Sequence, residues 1–143
     1  MMKKSSIEQI EYELTTFIRR AVYLDTSDRK IGHLERAPYL LLRELDEVGA
    51  TRVKELAASF KLDISTLSRQ AAALEERKFI TRSSDPTDRR VSLLMITEKG
   101  KEALEKDKRL RIERYESMLK GWSEEDKETF GILISRMNDV FFE

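Results

Sequence analysis

Two short stretches of this sequence carry residue types suited to recognising another molecule. The first is Asp63-Ile64-Ser65-Thr66-Leu67-Ser68-Arg69-Gln70, in which hydroxyls, a guanidinium and a carboxamide recur along one segment. Arginine and glutamine have the reach to pair with guanine or adenine edges, and serine or threonine hydroxyls both donate and accept. The second is Asp85-Pro86-Thr87-Asp88-Arg89-Arg90, two adjacent arginines in a turn-forming cluster. An arginine on the end of a rigid ribbon can enter a narrow minor groove, where the negative potential is enhanced. Asp88 beside it is suited to fix the guanidinium direction through a charge-assisted hydrogen bond.

The elements that must hold these stretches are mostly helices, since the chain has only five glycines and two prolines. From Ile7 the apolar residues Ile10, Leu14, Phe17, Ile18, Ala21 and Leu24 recur at three- and four-residue steps, one face of a long first helix. It is expected to stop near Asp25 to Gly32. Pro38 suits the first turn of a second helix, with Gly49 just past its end as a left-handed cap. Thr51 is expected to cap a short third helix with Val53, Leu56, Ala57 and Phe60 on its apolar side. Asp63 caps a fourth, whose Ile64, Leu67, Ala71 and Leu74 face the core and turn Ser65, Thr66, Ser68, Arg69 and Gln70 outward. After Phe79, ITRS, SDPTDRR and VSLLMIT read as strand, polar turn and strand, a hairpin whose loop is too long for a two-residue turn. Thr97 caps a fifth helix running to about Lys120, stopped by Gly121, and Ser123 caps a sixth with Glu124, Glu125 and Asp126 in its first turn.

The fourth helix taken alone could be an ordinary polar outer face, which is the rule for surface helices. The short turn FKLD before it supplies the spacing of a helix-turn-helix, and in that motif the second helix enters the major groove. A basic hairpin directly behind the pair is a more specific conjunction than either half.

Composition narrows the alternatives. The 143 residues suit one domain, a size at which a monomer buries ~70% of its extended-chain surface. There is no cysteine and one histidine, His33, which rules out disulfides, thiolate metal sites and thiol redox sensing and leaves no room for a histidine metal cluster. No cofactor or metal is expected. The start MMKKSSIEQIEYE has two lysines with no apolar run behind them, so no secretory signal is expected. No run approaches the ~18 apolar residues of a membrane span, and a cytoplasmic protein without membrane partners is expected. An enzyme is not expected: there is no cysteine nucleophile, no Gly-rich phosphate loop and no histidine set beside a serine and a carboxylate.

The segment LLRELDEVGATRVKELAASFKLDISTLSRQAAALEERKFITRSSDPTDRRVSLLMITEKG resembles the winged-helix core of the MarR (multiple antibiotic resistance regulator) family. The resemblance rests on ELA…STLSR…LEERKFI, on the DPTDRR wing and on the exit LMITEKG, and with the flanking helices it covers nearly the whole chain. It implies a mainly α fold with a small β-hairpin wing, in which dimerisation helices flank a winged helix-turn-helix core. Residues 1–34 would then be the N-terminal dimerisation helix, 35–100 the DNA-binding region, and 101–143 a strut and dimerisation helices. It implies a homodimeric regulator of double-stranded DNA, commonly a repressor released by a small-molecule effector. By that resemblance Ser65, Thr66, Ser68, Arg69 and Gln70 match major-groove readers, Arg90 with Arg89 beside it matches the wing arginine, and Asp88 matches the acidic residue of the wing. A winged-helix module that binds protein instead of DNA is the alternative.

The terminal helices point to self-association on their own residues. Phe130, Leu133, Ile134, Met137, Val140 and Phe141 form a broad apolar side that a small winged-helix core cannot cover together with the Ile7–Leu24 stripe. A two-fold dimer covers both, and packing of the first helix on the last is the alternative. Between Leu104 and Leu110 the fifth helix reads EKDKR, expected to be solvated on every side as a strut. No residue declares an effector. Tyr23, His33, Tyr39 and Tyr115 are the polar aromatic candidates, but a lone histidine is more often a structural hydrogen-bonder and a helix aromatic more often core, so none is assigned as a site.

The charges total zero, 27 basic against 27 acidic, but they are not evenly spread. Arg52 to Lys101 holds 11 basic and 7 acidic residues, whereas the segment before it holds 8 and 9 and the segment after it 8 and 11. The winged-helix block is basic and its flanks acidic, which favours docking on DNA in one orientation.

Overall fold

A computed structural model of the chain describes residues 3, 5–26 and 32–142. Among these the order is α1 (Ser6–Thr26), α2 (Arg36–Val48), β1 (Thr51–Arg52), α3 (Val53–Ser59), α4 (Ile64–Glu76), β2 (Ile80–Asp85), β3 (Asp88–Ile96), α5 (Glu98–Met118) and α6 (Glu124–Asp139). The fold is mostly helical with one small antiparallel sheet, strand order β1-β3-β2. The expected stop of the first helix falls partly on residues 27–31, outside the described residues, as does most of the expected leaderless start at Met1, Met2 and Lys4. The chain divides into two compact units, Met1–Leu110 and Arg111–Glu143.

In the first unit, Leu41, Leu42 and Leu45 of α2 share one core with Leu56 of α3, Leu67 and Leu74 of α4, Ile80, Leu94 and Leu104. Those on α2, α3 and α4 are the inward positions of short helices, Ile80 and Leu94 come from the sheet and Leu104 from α5, and each fully buried leucine contributes ~1.5–3 kcal/mol of apolar transfer. The short helices of the helix-turn-helix end alike. Leu62 N–H donates to Ala57 O at 2.9 Å and Phe79 N–H to Leu74 O at 3.0 Å, with Lys61 and Lys78 at φ +56° and +66° between. These are Schellman-type stops, with lysine where glycine usually sits. That backbone conformation costs a non-glycine residue ~1–2 kcal/mol, offset here by the carbonyls that each stop satisfies.

Several expectations are corrected. Thr51 does not cap α3. It lies in β1, opposite Leu94, and its hydroxyl donates to Gly49 O at 2.8 Å, while Arg52 takes the N-cap position without a side-chain cap bond. Gly49 has the expected positive φ, +82°, but its ψ of −159° is extended and not left-handed helical, so the chain leaves α2 straight into β1. The hairpin connection is two residues, Pro86-Thr87, because Asp85 pairs with Asp88. Neither connecting residue has a positive φ, so this is not one of the primed turns whose twist matches the strands. The mismatch is absorbed on β3: Ser84 pairs with Ser92, and Arg89, Arg90 and Val91 are surplus to the ladder.

The largest departure is in α5. Asp107, expected to be solvated, is 1% exposed, and its Oδ1 and Oδ2 accept the N–H groups of His33 at 2.7 Å and Leu34 at 3.0 Å. Gly32 lets the chain come this close, since its φ is +83° and a Cβ there would lie 2.6 Å from Asp107 Oδ2. Thr97 does cap α5, accepting from Gly100 N–H at 3.0 Å while donating to Lys78 O at 2.7 Å.

In the second unit Ser123 accepts Asp126 N–H at 3.1 Å, the expected cap of α6, and Trp122 meets Phe130 edge-on at 5.5 Å. The apolar side of α6 is open: Phe130, Leu133, Ile134, Met137, Val140 and Phe141 are all exposed. In the first unit, α1 likewise has no buried residue. Among the described residues no helix is long and apolar enough to cross a membrane.

Candidate nucleic-acid interface

The N-terminus of α4 is built around Asp63. Its Oδ1 accepts the Thr66 N–H at 2.6 Å and the Ser65 hydroxyl at 2.7 Å. The Ser65 hydroxyl first, then the Thr66 N–H and the nearby Arg69 charge, lower the Asp63 pKa from 3.8 to about 2. One turn on, Arg69 Nη2 donates to Thr66 Oγ1 at 3.3 Å, which directs the exposed guanidinium back along the helix towards its N-terminal end. Leu67, Ala71 and Leu74 are buried as expected. Ser65 and Arg69 are exposed, and Thr66, Ser68 and Gln70 half-buried.

Ile64 corrects the expected core face, being 50% exposed. Helical side chains lean toward the N-terminus, so a first-turn residue overhangs the helix end and finds no preceding turn to pack on. The outer N-terminal face is therefore Ile64, Ser65, Thr66 and Arg69, with Ser68 and Gln70 at its margin.

The wing places its arginines on β3 and not in a loop. Asp88 and Arg90 meet in the irregular stretch of β3. Arg90 Nε donates to Asp88 Oδ1 at 3.1 Å, Nη2 to Oδ2 at 3.4 Å, and the Arg90 N–H also reaches Oδ1 at 3.1 Å. The Arg90 side chain is otherwise open to solvent. The Arg90 guanidinium and N–H hold the Asp88 pKa below its ordinary value, with a further contribution from the charge of Arg52. Arg89 is exposed on the same strand.

Arg52, Glu75 and Arg82 are not singled out by the sequence, and Asp85 and Thr87 stand out there only as members of a turn-forming cluster. Asp85, nearly buried at the wing tip, accepts the Thr87 N–H at 2.9 Å and the Thr87 hydroxyl at 2.8 Å on Oδ1. Its Oδ2 takes Arg52 Nε at 2.8 Å and Nη2 at 2.7 Å. The Thr87 groups first, then Arg52, lower the Asp85 pKa. An aspartate two residues before a threonine in a turn is a legible signal for the local bonds. The pairing to Arg52, 33 residues away, is not. Farther down the wing, Arg82 Nε donates to Glu75 Oε1 at 3.3 Å and ties β2 to α4.

Tyr39 belongs to the core with the Arg43 guanidinium 5.9 Å from its ring centroid, whereas Tyr23 and Tyr115 are largely exposed and His33 is exposed.

The MarR family model matches residues 34–92, which include α2 to α4 and most of the wing. The chain is 63% identical, over 143 residues and 100% of both chains, to the uncharacterized HTH-type transcriptional regulator YxaD of Bacillus subtilis (strain 168). A MarR family protein from Bacillus stearothermophilus has a similar fold, with a TM-score of 0.75 at 19% identity over 100% of both chains. So does Bordetella bronchiseptica BpsR, whose DNA binding is regulated by 6-hydroxynicotinic acid, with a TM-score of 0.73 at 22% identity over 96% of this chain and 99% of that one.

Proposed function

Since the chain belongs to the MarR family of DNA-binding transcriptional regulators, we propose that it is a homodimeric repressor of a pseudo-palindromic operator, released by a small-molecule ligand. The observation that carries the operator reading is the Asp88–Arg90 pair, a guanidinium aimed by two carboxylate contacts yet open to solvent on the strand behind a polar helix face. In this reading Ser65, Thr66, Ser68, Arg69 and Gln70 meet base edges in the major groove, and Arg90, oriented by Asp88 and flanked by Arg89, enters the adjacent minor groove. Ile64 adds an apolar group at the helix start, suited to a thymine methyl. The basic balance of the Arg52–Lys101 segment supports the same orientation.

The homodimer is supported by the open apolar faces of α1 and of α6, each a run of exposed large apolar side chains of a kind that monomers seldom leave bare. Residues 1–34 and 101–143 supply its contacts and residues 35–100 face DNA. Release by a ligand is supported by the likeness to BpsR. The protein works in the cytoplasm, where its operator is, and has no catalytic role.

In vitro selection of bound sequences from random duplex DNA tests this reading. The expected product is a pseudo-palindrome with half-sites about one helical turn apart, bound with an affinity that falls steeply as salt rises. Single, unpaired half-sites would remove the dimer. Absence of duplex binding at low salt would remove the DNA reading in favour of a protein-binding module.

A further inference from the structure

The wing has a structural problem at its tip. Its two-residue turn lacks the positive φ that would match the strand twist, and three residues of β3 are out of register, so the ladder does not hold the Asp85–Asp88 end in line. Asp85 does this instead, since one carboxylate oxygen closes the turn on Thr87 and the other receives two guanidinium nitrogens of Arg52. Arg52 Nη2 also lies 3.4 Å from Thr87 Oγ1. Arg52 stands at the N-cap of α3, with its backbone paired to Leu93 of β3. Its side chain makes no cap bond and runs along the sheet to the wing tip. The residue that begins the helix-turn-helix therefore grips the turn that carries Asp88 and Arg90. Its charge also reaches Asp88, the carboxylate that aims Arg90.

We propose that Arg52 is the positioning residue of the wing: through Asp85 and Thr87 it fixes the angle of the Asp88–Arg90 pair to the helix-turn-helix and so sets the wing's share of operator affinity. This rests on the operator reading above. Arg52 acts through Arg90 and does not itself contact DNA.

The test is a double-mutant cycle on the duplex recovered by selection, using the full chain and the variants Arg52→Ala, Arg90→Ala and both together. Arg52→Ala is expected to weaken binding roughly tenfold, within the range of coupling between groups that act as one unit. The double variant is expected to bind no more weakly than Arg90→Ala alone, and the salt slope of Arg52→Ala to fall no further than that of Arg90→Ala. Additive losses, or a slope lower in the double variant than in Arg90→Ala alone, would give Arg52 a role independent of Arg90 and overturn the proposal. Unchanged binding by Arg52→Ala overturns it as well. A purely structural loss would weaken the wild-type and Arg90→Ala backgrounds alike, which the cycle detects. If Arg52→Ala does not fold, Arg52→Lys enters the same cycle with the same criteria, one ammonium replacing the two-nitrogen grip. A wild-type protein that binds no duplex overturns the operator reading, and this proposal with it, before any variant is compared.

Discussion

The Asp107 carboxylate accepts the backbone N–H of His33 at 2.7 Å, so a residue midway along α5 holds the chain just before α2. The same carboxylate takes the N–H of Leu34, a core residue, at 3.0 Å. Replacing Asp107 with alanine strands both donors and is expected to cost ~1–3 kcal/mol, the penalty for an unsatisfied buried polar group. Gly32→Ala should be of similar severity, since its Cβ would press on this carboxylate at a backbone angle that alanine avoids. Urea unfolding measures both as a lower midpoint at constant slope. An Asp107→Ala midpoint equal to wild type would show that water replaces the carboxylate at no cost.

A second expectation concerns acid. Because folding lowers the Asp63 pKa from 3.8 to about 2, the charged cap stabilises the folded state above pH 3.8, and that contribution is lost as pH falls from there through about 2. Asp85 and Asp88 are shifted in the same direction and add to the same acid limb. Asp63→Asn keeps a good capping side chain but removes the titration. It should match wild type near neutrality and show a shallower decline across that window in urea melts run at successive pH values. An identical acid limb in the two proteins would assign the decline to other carboxylates.

For operator recognition, Arg69→Ala should weaken binding and relax base preference at one position in each half-site, by roughly 1–3 kcal/mol if the guanidinium pairs with two atoms of one base. Repeating the selection with the variant gives the answer directly. A uniform loss with an unchanged base profile would reduce Arg69 to a phosphate contact.

Arg90→Ala should weaken binding most on operators flanked by narrow-minor-groove A-tracts and least on G·C-rich flanks. Titrations on two duplexes that differ only in their flanks measure the contrast. Equal losses on both would make Arg90 a general anchor.

The helix order, the caps at Asp63, Thr97 and Ser123 and the Asp88–Arg90 pairing were legible in the sequence, because each depends on residues within a few positions of one another. The failures share a different cause. EKDKR reads as solvent-facing by composition, and nothing nearby shows that two backbone N–H groups 73 and 74 residues away need the carboxylate of Asp107. Thr51 has the residue type of a cap, but pairing with Leu94 draws it into a strand too short to have a pattern of its own. Ile64 has the right spacing for the core and the wrong position in the helix, since spacing does not reveal where a first-turn side chain overhangs. DPTDRR looks like a long loop because its turn residues outnumber the turn. Only the register shows that two residues turn and three are absorbed by a strand.

The bare apolar faces of α1 and α6 carry a consequence for dosage. If a second copy covers them, the folded protomer is drawn forward by mass action, and its unfolding midpoint rises with its own concentration. Operator occupancy would then fall more steeply than the protein level as the dimer dissociates. Dilution at cell division would loosen such a repressor disproportionately, a sharpness that comes from two greasy helices and not from the surface that touches DNA.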